Sequence, residues 1–267
     1  MKNEHFISMR KRRVALITGA ARRLGAVIAK ALHAEGFNIV AHCNTSQLEA
    51  NELVQELNSI RVHSAISVQA DLSDLRNCEP VINAAISEWG QLDILVNNAS
   101  TYYPTEIGSV SHSQWNDLVD INLKIPFFLI QTAMPWLHQV CGNIVNIVDI
   151  NAQRPLKGYP IYCAAKAGLA LLTEALALEL APNIRVNGVA PGTIMWPEKS
   201  NKSDDSEKLT TLKKSPLAEL VMAKTSLRRY DFLQFQSMSQ VTSSGSMAVQ
   251  YFPDKSSTLA TYIFMME

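Results

Sequence analysis

The sequence has few of the features that mark secreted, metal-binding or nucleic-acid-binding proteins. It contains four cysteines in 267 residues and no CxxC pair, which predicts reduced thiols and a cytoplasmic location rather than a disulfide framework. The six histidines are dispersed without a ligand-spaced pair, so we expect no metal site. Basic and acidic residues balance at 24 each, which leaves no electrostatic argument for nucleic acid or an anionic membrane as a partner.

Long apolar runs are also missing. No stretch reaches the roughly 18 uninterrupted apolar residues of a membrane span, and the opening segment, MKNEHFISM, lacks the apolar block of a signal peptide. The short basic run MRKRR (9–13) directly precedes an apolar segment, so we interpret residues 1–12 as a solvated lead-in rather than a nucleic-acid-binding tail. The sequence therefore predicts neither a membrane nor a nucleic-acid partner.

What the sequence does contain is a regular alternation of short apolar runs and longer segments with helical spacing. The apolar runs, each typical of a buried strand, are 14–18, 37–42, 63–69, 93–97, 142–148 and 183–191. The helical segments are 23–35, 46–58, a stretch that ends near 89, 115–137 with Pro126 as a kink, and 159–181. This alternation predicts an α/β protein with a doubly wound parallel sheet, a single Rossmann-type domain over 13–217.

The segment after the first apolar run, TGAARRLG (18–25), has the position of a cofactor loop. Gly19 permits a tight turn, and the helix that follows offers unpaired N–H groups to a phosphate. Ligands of such sheets bind beyond the carboxyl ends of the strands. Arg23 stands where a dinucleotide-binding turn has its middle glycine, so the loop is either degraded or altered for a purpose.

The segment after the second run, HCNTS (42–46), lacks the acid that binds a free ribose 2′-hydroxyl. Arg22 with Thr45 and Ser46 would instead hold a 2′-phosphate through charge-assisted hydrogen bonds, which favours NADPH over NADH. The alternative interpretation is an ordinary polar turn.

The segment YCAAK (162–166) places Tyr162 and Lys166 on one face of a helix, because residues four apart are neighbours there. A nearby cation favours the phenolate and lowers a tyrosine pKa, which makes Tyr162 a candidate general acid. Taken alone, the pair also fits a helix surface.

Further motifs accompany it in a fixed order: NNAS (97–100) after the fourth apolar run, Asn122 in the next helix, and Pro191–Gly192 after the sixth run. Together with TGAARRLG and YCAAK they strongly resemble the short-chain dehydrogenase/reductase family, over about residues 13–197. The resemblance implies hydride transfer from a nicotinamide, with Tyr162 as proton donor. Lys166 would hold the nicotinamide ribose and tune Tyr162, and Asn122 would position a water in a proton relay.

One departure narrows the resemblance. Thirteen residues before Tyr162, where the family usually has serine, this sequence has Asp149. With Arg23 and with TYYPT (101–105) after NNAS, this resembles the pteridine reductase branch, which implies an Asp–Tyr–Lys catalytic set and a pterin stacked on Tyr102. The alternative, purely structural interpretations are that Asp149 caps the end of a strand and that Tyr102 is a packed aromatic residue. The branch often has an arginine where this sequence has Thr45.

The resemblance assigns three sets of residues. The catalytic set is Asp149, Tyr162, Lys166 and Asn122. The substrate set is Arg23, Ser100, Tyr102, Asp149 and Tyr162. The residues expected to contact NADPH are Gly19, Arg22, Arg23, Leu24, His42, Asn44, Thr45, Ser46, Asp71, Leu72, Asn98, Ala99, Ser100, Ile147, Tyr162, Lys166, Pro191, Gly192 and Ile194.

The tail departs from the family, which has a further helix and a glycine-rich last strand after about Leu217. If the last base of each codon is joined to the first two of the next, Met222–Ala223 gives GGC, a glycine codon. The same shift permits segments like both missing family motifs, in order. We therefore expect a frameshift at or just after Leu217, a poorly packed tail over 218–267, and a last strand that is missing or replaced.

Three functions remain open at this point. The leading one is NADPH-dependent reduction of a dihydropteridine- or dihydrofolate-like ring. The second is reduction of another carbonyl, such as a 3-oxoacyl thioester. The third is a catalytically impaired remnant that binds cofactor, since the intact motifs favour catalysis and the tail favours loss of it. The family-like homotetramer is in doubt because of the same tail.

Overall fold

A twisted sheet forms the centre of the molecule. The computed structural model describes residues 12–191, 247–251 and 262–266, the last two ranges as backbone only. Six strands run parallel in the order β3-β2-β1-β4-β5-β6. Their bounds are β1 (Val14–Ile17), β2 (Asn38–Cys43), β3 (Ala65–Gln69), β4 (Ile94–Asn97), β5 (Asn143–Ile147) and β6 (Arg185–Ala190). The predicted doubly wound α/β fold is confirmed, with each of these strands inside or within one residue of its predicted apolar run.

Six helices connect and cover these strands. They are α1 (Arg23–Ala34), α2 (Gln47–Ile60), α3 (Cys78–Trp89), α4 (His112–Val119), α5 (Ile125–Gln139) and α6 (Pro160–Leu180). The single helix predicted over 115–137 is wrong in one respect, because α4 and α5 are separate and a π-helical turn, Asp120–Lys124, joins them. Pro126 closely follows this π-helical turn in a backbone that is helical on both sides, where it has no N–H to donate to the preceding turn, and the kink there stays a prediction.

The core lies on both faces of the sheet, as the side-chain alternation of a strand requires. Val14 and Leu16 of β1 pack with α3 and α5 in one apolar cluster. Ala15 and Ile17 pack with α1 and α2 in the other. Because both faces are covered, the polar groups at the strand ends are the ones left to meet a ligand.

Helix α6 is long and apolar enough to cross a membrane by length and composition. Its buried residues include Tyr162, Lys166, Leu169 and Thr173, and the helix packs against β6 and the short 3₁₀ turn Ile150–Ala152. The apolar composition therefore accompanies a helix that packs into the core of this fold.

Two further strands come from the tail, β7 (Met247–Tyr251) and β8 (Tyr262–Met266). Strand β8 pairs antiparallel with β6, and β7 pairs antiparallel with β8. An antiparallel strand thus occupies the sheet position beside β6. The proposed shift point near Leu217 and most of the tail, together with the lead-in 1–11, lie outside the described residues.

Candidate active site

The glycine turn after β1 keeps its left-handed backbone without a middle glycine. Gly19 has a φ of +62°, and Arg23 itself has a φ of +53°, in the region that glycine adopts most readily. A Cβ atom at Gly25 would lie 2.2 Å from the carbonyl oxygen of Gly19, so that position accepts only glycine. Arg23 therefore combines the backbone of a glycine with an exposed charged side chain at the start of α1.

Thr18 joins this turn to the loop after β4. Its hydroxyl oxygen accepts hydrogen bonds from the N–H groups of Asn98 and Ala99, both at 2.9 Å. The Asn98 amide donates in return to the carbonyl oxygens of Thr18 at 2.8 Å and Gly19 at 3.1 Å. The sequence-based assignments omitted Thr18, although a hydroxyl directly at a strand end was a signal for such a role.

His42, in β2, holds the same turn through a hydrogen bond to its backbone. Its Nδ1 accepts from the backbone N–H of Gly19 at 3.2 Å, so Nε2 carries the proton and donates to the carbonyl oxygen of Ala70 at 3.1 Å. Burial lowers the pKa of His42, which favours this neutral form. Both ring nitrogens are engaged by the backbone, so His42 positions the turn, and its predicted contact with the cofactor stays a prediction.

The loop after β2 carries a feature that the sequence-based prediction did not weigh. Arg22, assigned to a 2′-phosphate, lies with its Nη1 3.4 Å from the Oε1 of Glu49 in the first turn of α2. Thr45 is exposed, and the hydroxyl of Ser46 makes no cap hydrogen bond at the start of α2. A carboxylate therefore lies beside Arg22 in the region predicted to hold the 2′-phosphate, and that assignment stays a prediction.

Other predicted cofactor residues differ in exposure. Asn44 is exposed, and its carbonyl oxygen accepts from Gln69 at 2.8 Å. Asp71 lies beyond β3, where its Oδ1 accepts from the N–H of Ser73 at 2.9 Å. The side chain of Leu72 is buried in the core, so packing is its role. Gly192 and Ile194 lie outside the described residues.

Asp149 and Tyr162 are in direct contact at the carboxyl end of β5. The Tyr162 hydroxyl donates to Oδ2 of Asp149 at 2.6 Å. The other carboxylate oxygen accepts from the N–H of Asn151 at 2.8 Å and caps the 3₁₀ turn. The cap and the catalytic interpretation of Asp149 are thus compatible, because each uses a different oxygen.

The expectation that a cation lowers the pKa of Tyr162 is wrong for this structure. Burial and the negative charge of Asp149 raise that pKa well above its usual range, and the hydrogen bond to Asp149 acts in the same direction. The Lys166 ammonium lies 5.9 Å from the centre of the Tyr162 ring and is not among the causes of the raised pKa. Tyr162 therefore keeps its proton at neutral pH, which suits a proton donor.

Lys166 lies fully inside the protein, one helical turn after Tyr162. Its Nζ donates to the carbonyl oxygen of Ile147 at 2.8 Å, at the last residue of β5. Burial lowers the pKa of Lys166 to about 8, although the charge of Asp149 acts in the opposite direction. The ammonium form still predominates at pH 7.

Asn122 lies in the π-helical turn between α4 and α5 and is fully buried. Its Nδ2 donates to the carbonyl oxygens of Leu118 and Thr101, both at 2.9 Å, and its Oδ1 accepts from the Ser100 hydroxyl at 2.6 Å. Single π-helical turns occur often at functional sites. This one directs the Asn122 amide toward the loop that carries Ser100.

Tyr102 lies at the mouth of the site. Its ring stacks on Tyr159 with centroids 4.5 Å apart and planes 10° apart, and it meets Tyr162 edge-on at 4.8 Å. Tyr102 remains 46% exposed, which leaves part of this aromatic surface open to a ligand. Tyr159 was not among the predicted site residues, and it directly precedes α6 as the N-cap residue of that helix.

The comparisons with known proteins agree with this geometry. The family model described as short chain dehydrogenase matches residues 13–207. The chain belongs to the short-chain dehydrogenase family. It is accordingly an oxidoreductase, and the Tyr162–Lys166 pair, Asn122 and the glycine turn lie together at the carboxyl edge of its sheet.

Two characterised reductases are similar to this short-chain dehydrogenase. Pteridine reductase 1 of Leishmania tarentolae is 38% identical over 224 residues, which cover 69% of this chain and 78% of that protein. A 3-oxoacyl-acyl-carrier-protein reductase of Staphylococcus aureus is 35% identical over 212 residues, covering 79% and 85%. An uncharacterized oxidoreductase of Staphylococcus epidermidis is 32% identical over 189 residues, covering 70% and 80%.

Proposed function

We propose that this short-chain dehydrogenase reduces a pterin ring of the dihydropteridine or dihydrofolate type, with NADPH as the reductant. The observation that carries the proposal is the 2.6 Å hydrogen bond from Tyr162 to the carboxylate of Asp149. A pterin presents N–H donors and ring-nitrogen acceptors along one edge. A carboxylate accepts from such donors, whereas a serine at the same place suits a carbonyl oxygen.

The described residues fit a nicotinamide dinucleotide. Phosphate groups would find hydrogen-bond donors at the turn of Gly19 and at the first N–H groups of α1. The hydroxyl of Ser46, which makes no cap hydrogen bond, is a further donor. Arg22 supplies positive charge for a 2′-phosphate, although Glu49 competes for it. When bound, NADPH supplies the hydride.

The chain's own residues supply the proton and the orientation. Tyr162 holds a proton at neutral pH because its pKa is raised, and it gives that proton to a ring atom of the pterin. Asp149 accepts from a pterin N–H and fixes the ring beside Tyr162. Tyr102 covers one face of the ring, and Asn122 holds Ser100 toward the substrate through a 2.6 Å hydrogen bond.

The test is a panel of substrates. We expect NADPH oxidation with dihydrobiopterin to exceed oxidation with acetoacetyl thioester, and NADH to be the poorer reductant. Asp149→Ser should lower pterin turnover by about tenfold or more, since a hydrogen bond to a charged group is lost, while thioester turnover should not fall. A wild-type preference for the thioester, or an unchanged pterin rate in the variant, would refute the proposal.

The second candidate is reduction of a 3-oxoacyl thioester. The Staphylococcus aureus relative, at 35% identity, is named for that substrate and gives this candidate its support. Asp149 and Tyr102 argue against it, because a carboxylate beside Tyr162 repels the oxyanion that forms as a carbonyl is reduced.

The third candidate is a cofactor-binding remnant with impaired catalysis. It rests on the tail, where the antiparallel strand β8 pairs with β6. Measuring NADPH binding and turnover on this chain and on a frame-restored version separates the cases, and binding without turnover in this chain alone supports the remnant. Size-exclusion chromatography of the same two proteins tests whether the family-like homotetramer depends on the tail.

A further inference from the structure

A cavity lies at the amino ends of the parallel strands, at the opposite end of these strands from the active site. It has a volume of about 350 Å³ and is lined by Arg12, Asn38, Arg61, Val62, His63 and Trp89. Asn38 begins β2 and Arg12 shortly precedes β1, so the cavity is at the amino ends of these strands. None of these residues has a role in the proposed pterin reduction.

The cavity is positively charged. Arg61 is fixed in place, because its guanidinium donates to the carbonyl oxygens of Gly36, at 2.9 Å, and Phe37. Burial and the like charge of Arg12 lower the pKa of Arg61. The lining residues include no carboxylate, so none of them neutralises these two guanidinium groups.

Asn38 supplies a second, independent indication. Its side chain lines the cavity and is only 6% exposed, yet it makes no hydrogen bond with any residue of 12–191. Among the described residues, the buried side-chain atoms without a partner belong to Asn97 and Thr105, so water reaches the Asn38 amide at the cavity wall. An oxyanion in the cavity would accept from this amide and from both arginines.

We propose that this cavity is a binding site for a phosphate group, held by Arg12, Arg61 and the Asn38 amide. Guanidinium groups bind phosphate oxygens through charge-assisted, bidentate hydrogen bonds. The phosphate comes either from free inorganic phosphate or from a nucleotide whose base lies against Trp89. A second phosphate site at the amino edge is separate from the cofactor phosphates, which belong at the carboxyl edge.

Calorimetric titration with inorganic phosphate, with the cofactor site saturated by NADPH, tests the cavity, and Arg12→Gln is the main variant because Arg12 is exposed. We expect its phosphate affinity to fall by about tenfold, the loss of one charge-assisted contact. Asn38→Asp keeps the shape of the side chain and adds a repelling charge, so it should abolish binding. The matched control is Arg76→Gln, since Arg76 is an exposed arginine that follows β3 and pairs with Asp74, and this variant should bind phosphate as the wild type does.

A parallel titration with AMP identifies the source of the phosphate. Tighter binding than inorganic phosphate, with the difference removed by Trp89→Leu, supports a nucleotide; equal affinity for the two supports free phosphate. Circular dichroism melting checks that each variant is folded. Phosphate binding that survives both Arg12→Gln and Asn38→Asp, or that is lost only in Arg76→Gln, overturns the proposal. Failure of pterin turnover leaves this test unaffected, since it measures binding at the other edge.

Discussion

At the carboxyl ends of the strands the polar side chains of the candidate site hydrogen-bond to one another, whereas the polar side chains that line the cavity at the amino ends do not. Tyr162 donates to Asp149 and Lys166 donates to the end of β5. At the other edge, Arg12 lowers the pKa of Arg61 by repulsion, and the Asn38 amide faces a cavity. The first arrangement is organised before any ligand arrives, which favours catalysis because little has to move. The second arrangement, at the cavity, lacks such mutual hydrogen bonds, and a bound phosphate would supply them, which favours binding over catalysis.

The largest expected effect is on the prearranged edge. Tyr162→Phe removes the proton donor but keeps the ring, so turnover should fall by roughly a hundredfold to ten-thousandfold while NADPH binding remains. Tyr103→Phe is the matched control, because the Tyr103 hydroxyl donates to Gln114 away from the Tyr162–Asp149 pair. Steady-state kinetics measure both variants. Equal losses in the two would show that the Tyr162 hydroxyl has no special part.

The next effect concerns pH. Burial lowers the pKa of Lys166 to about 8, so its ammonium is present below that pH and is lost above it. Turnover should therefore decline as the pH rises through about 8, approaching a tenfold loss per pH unit. Tyr162 keeps its proton over this range because its pKa is raised.

A pH profile of kcat/KM from 6 to about 10 measures this limb. Lys166→Arg keeps a positive charge at higher pH, so in that variant the decline of kcat/KM should begin at a higher pH. A flat profile in the wild type would separate Lys166 from the pH dependence.

Arg23 provides a smaller effect with a clear stability control. Because Arg23 has a φ of +53°, Arg23→Gly suits the backbone, and stability should change by no more than about 1 kcal/mol. Pterin turnover should fall about tenfold if the guanidinium binds cofactor phosphate or substrate. Thermal melting and kinetics on one preparation measure the two quantities. Parallel losses of stability and turnover would make the arginine structural.

The smallest effect is expected beside Arg22, where the 2′-phosphate of the cofactor is proposed to bind. Glu49→Gln removes a carboxylate that lies 3.4 Å from Arg22, with both side chains largely exposed. NADPH affinity should rise only a few-fold, since exposed ion pairs contribute about 0.2–1 kcal/mol, and NADH affinity should change less. Fluorescence titration of the two cofactors measures the difference. An equal rise for both would place Glu49 away from the 2′-phosphate.

Much of the fold followed from local pattern. Each parallel strand coincides with an apolar run, because a buried strand needs apolar residues on both faces and periodicity reports burial. The exception was the region around Pro126, where apolar spacing continues through Asp120–Lys124 although the backbone there is π-helical. Periodicity does not distinguish one long helix from two joined by such a turn.

The candidate site was predictable to a lesser degree. Asp149, Tyr162 and Lys166 were identified from motif spacing, and the structure brings them together. The raised pKa of Tyr162 was not predictable, since it depends on burial and on the contact with Asp149, and only packing decides both. Glu49 was not predicted either, since the sequence does not show that the first turn of α2 lies against Arg22.

The sequence by itself determined the alternation of strands and helices and the motifs at the carboxyl ends of the strands, because these depend on residues close together in the chain. The tertiary structure alone decided that Arg23 adopts a glycine-like backbone and that Asp149 has one oxygen for a cap and one for Tyr162. It alone also decided that residues as distant as Arg12, Asn38 and Arg61 line one cavity. Such contacts arise from how the elements pack, which no local pattern records.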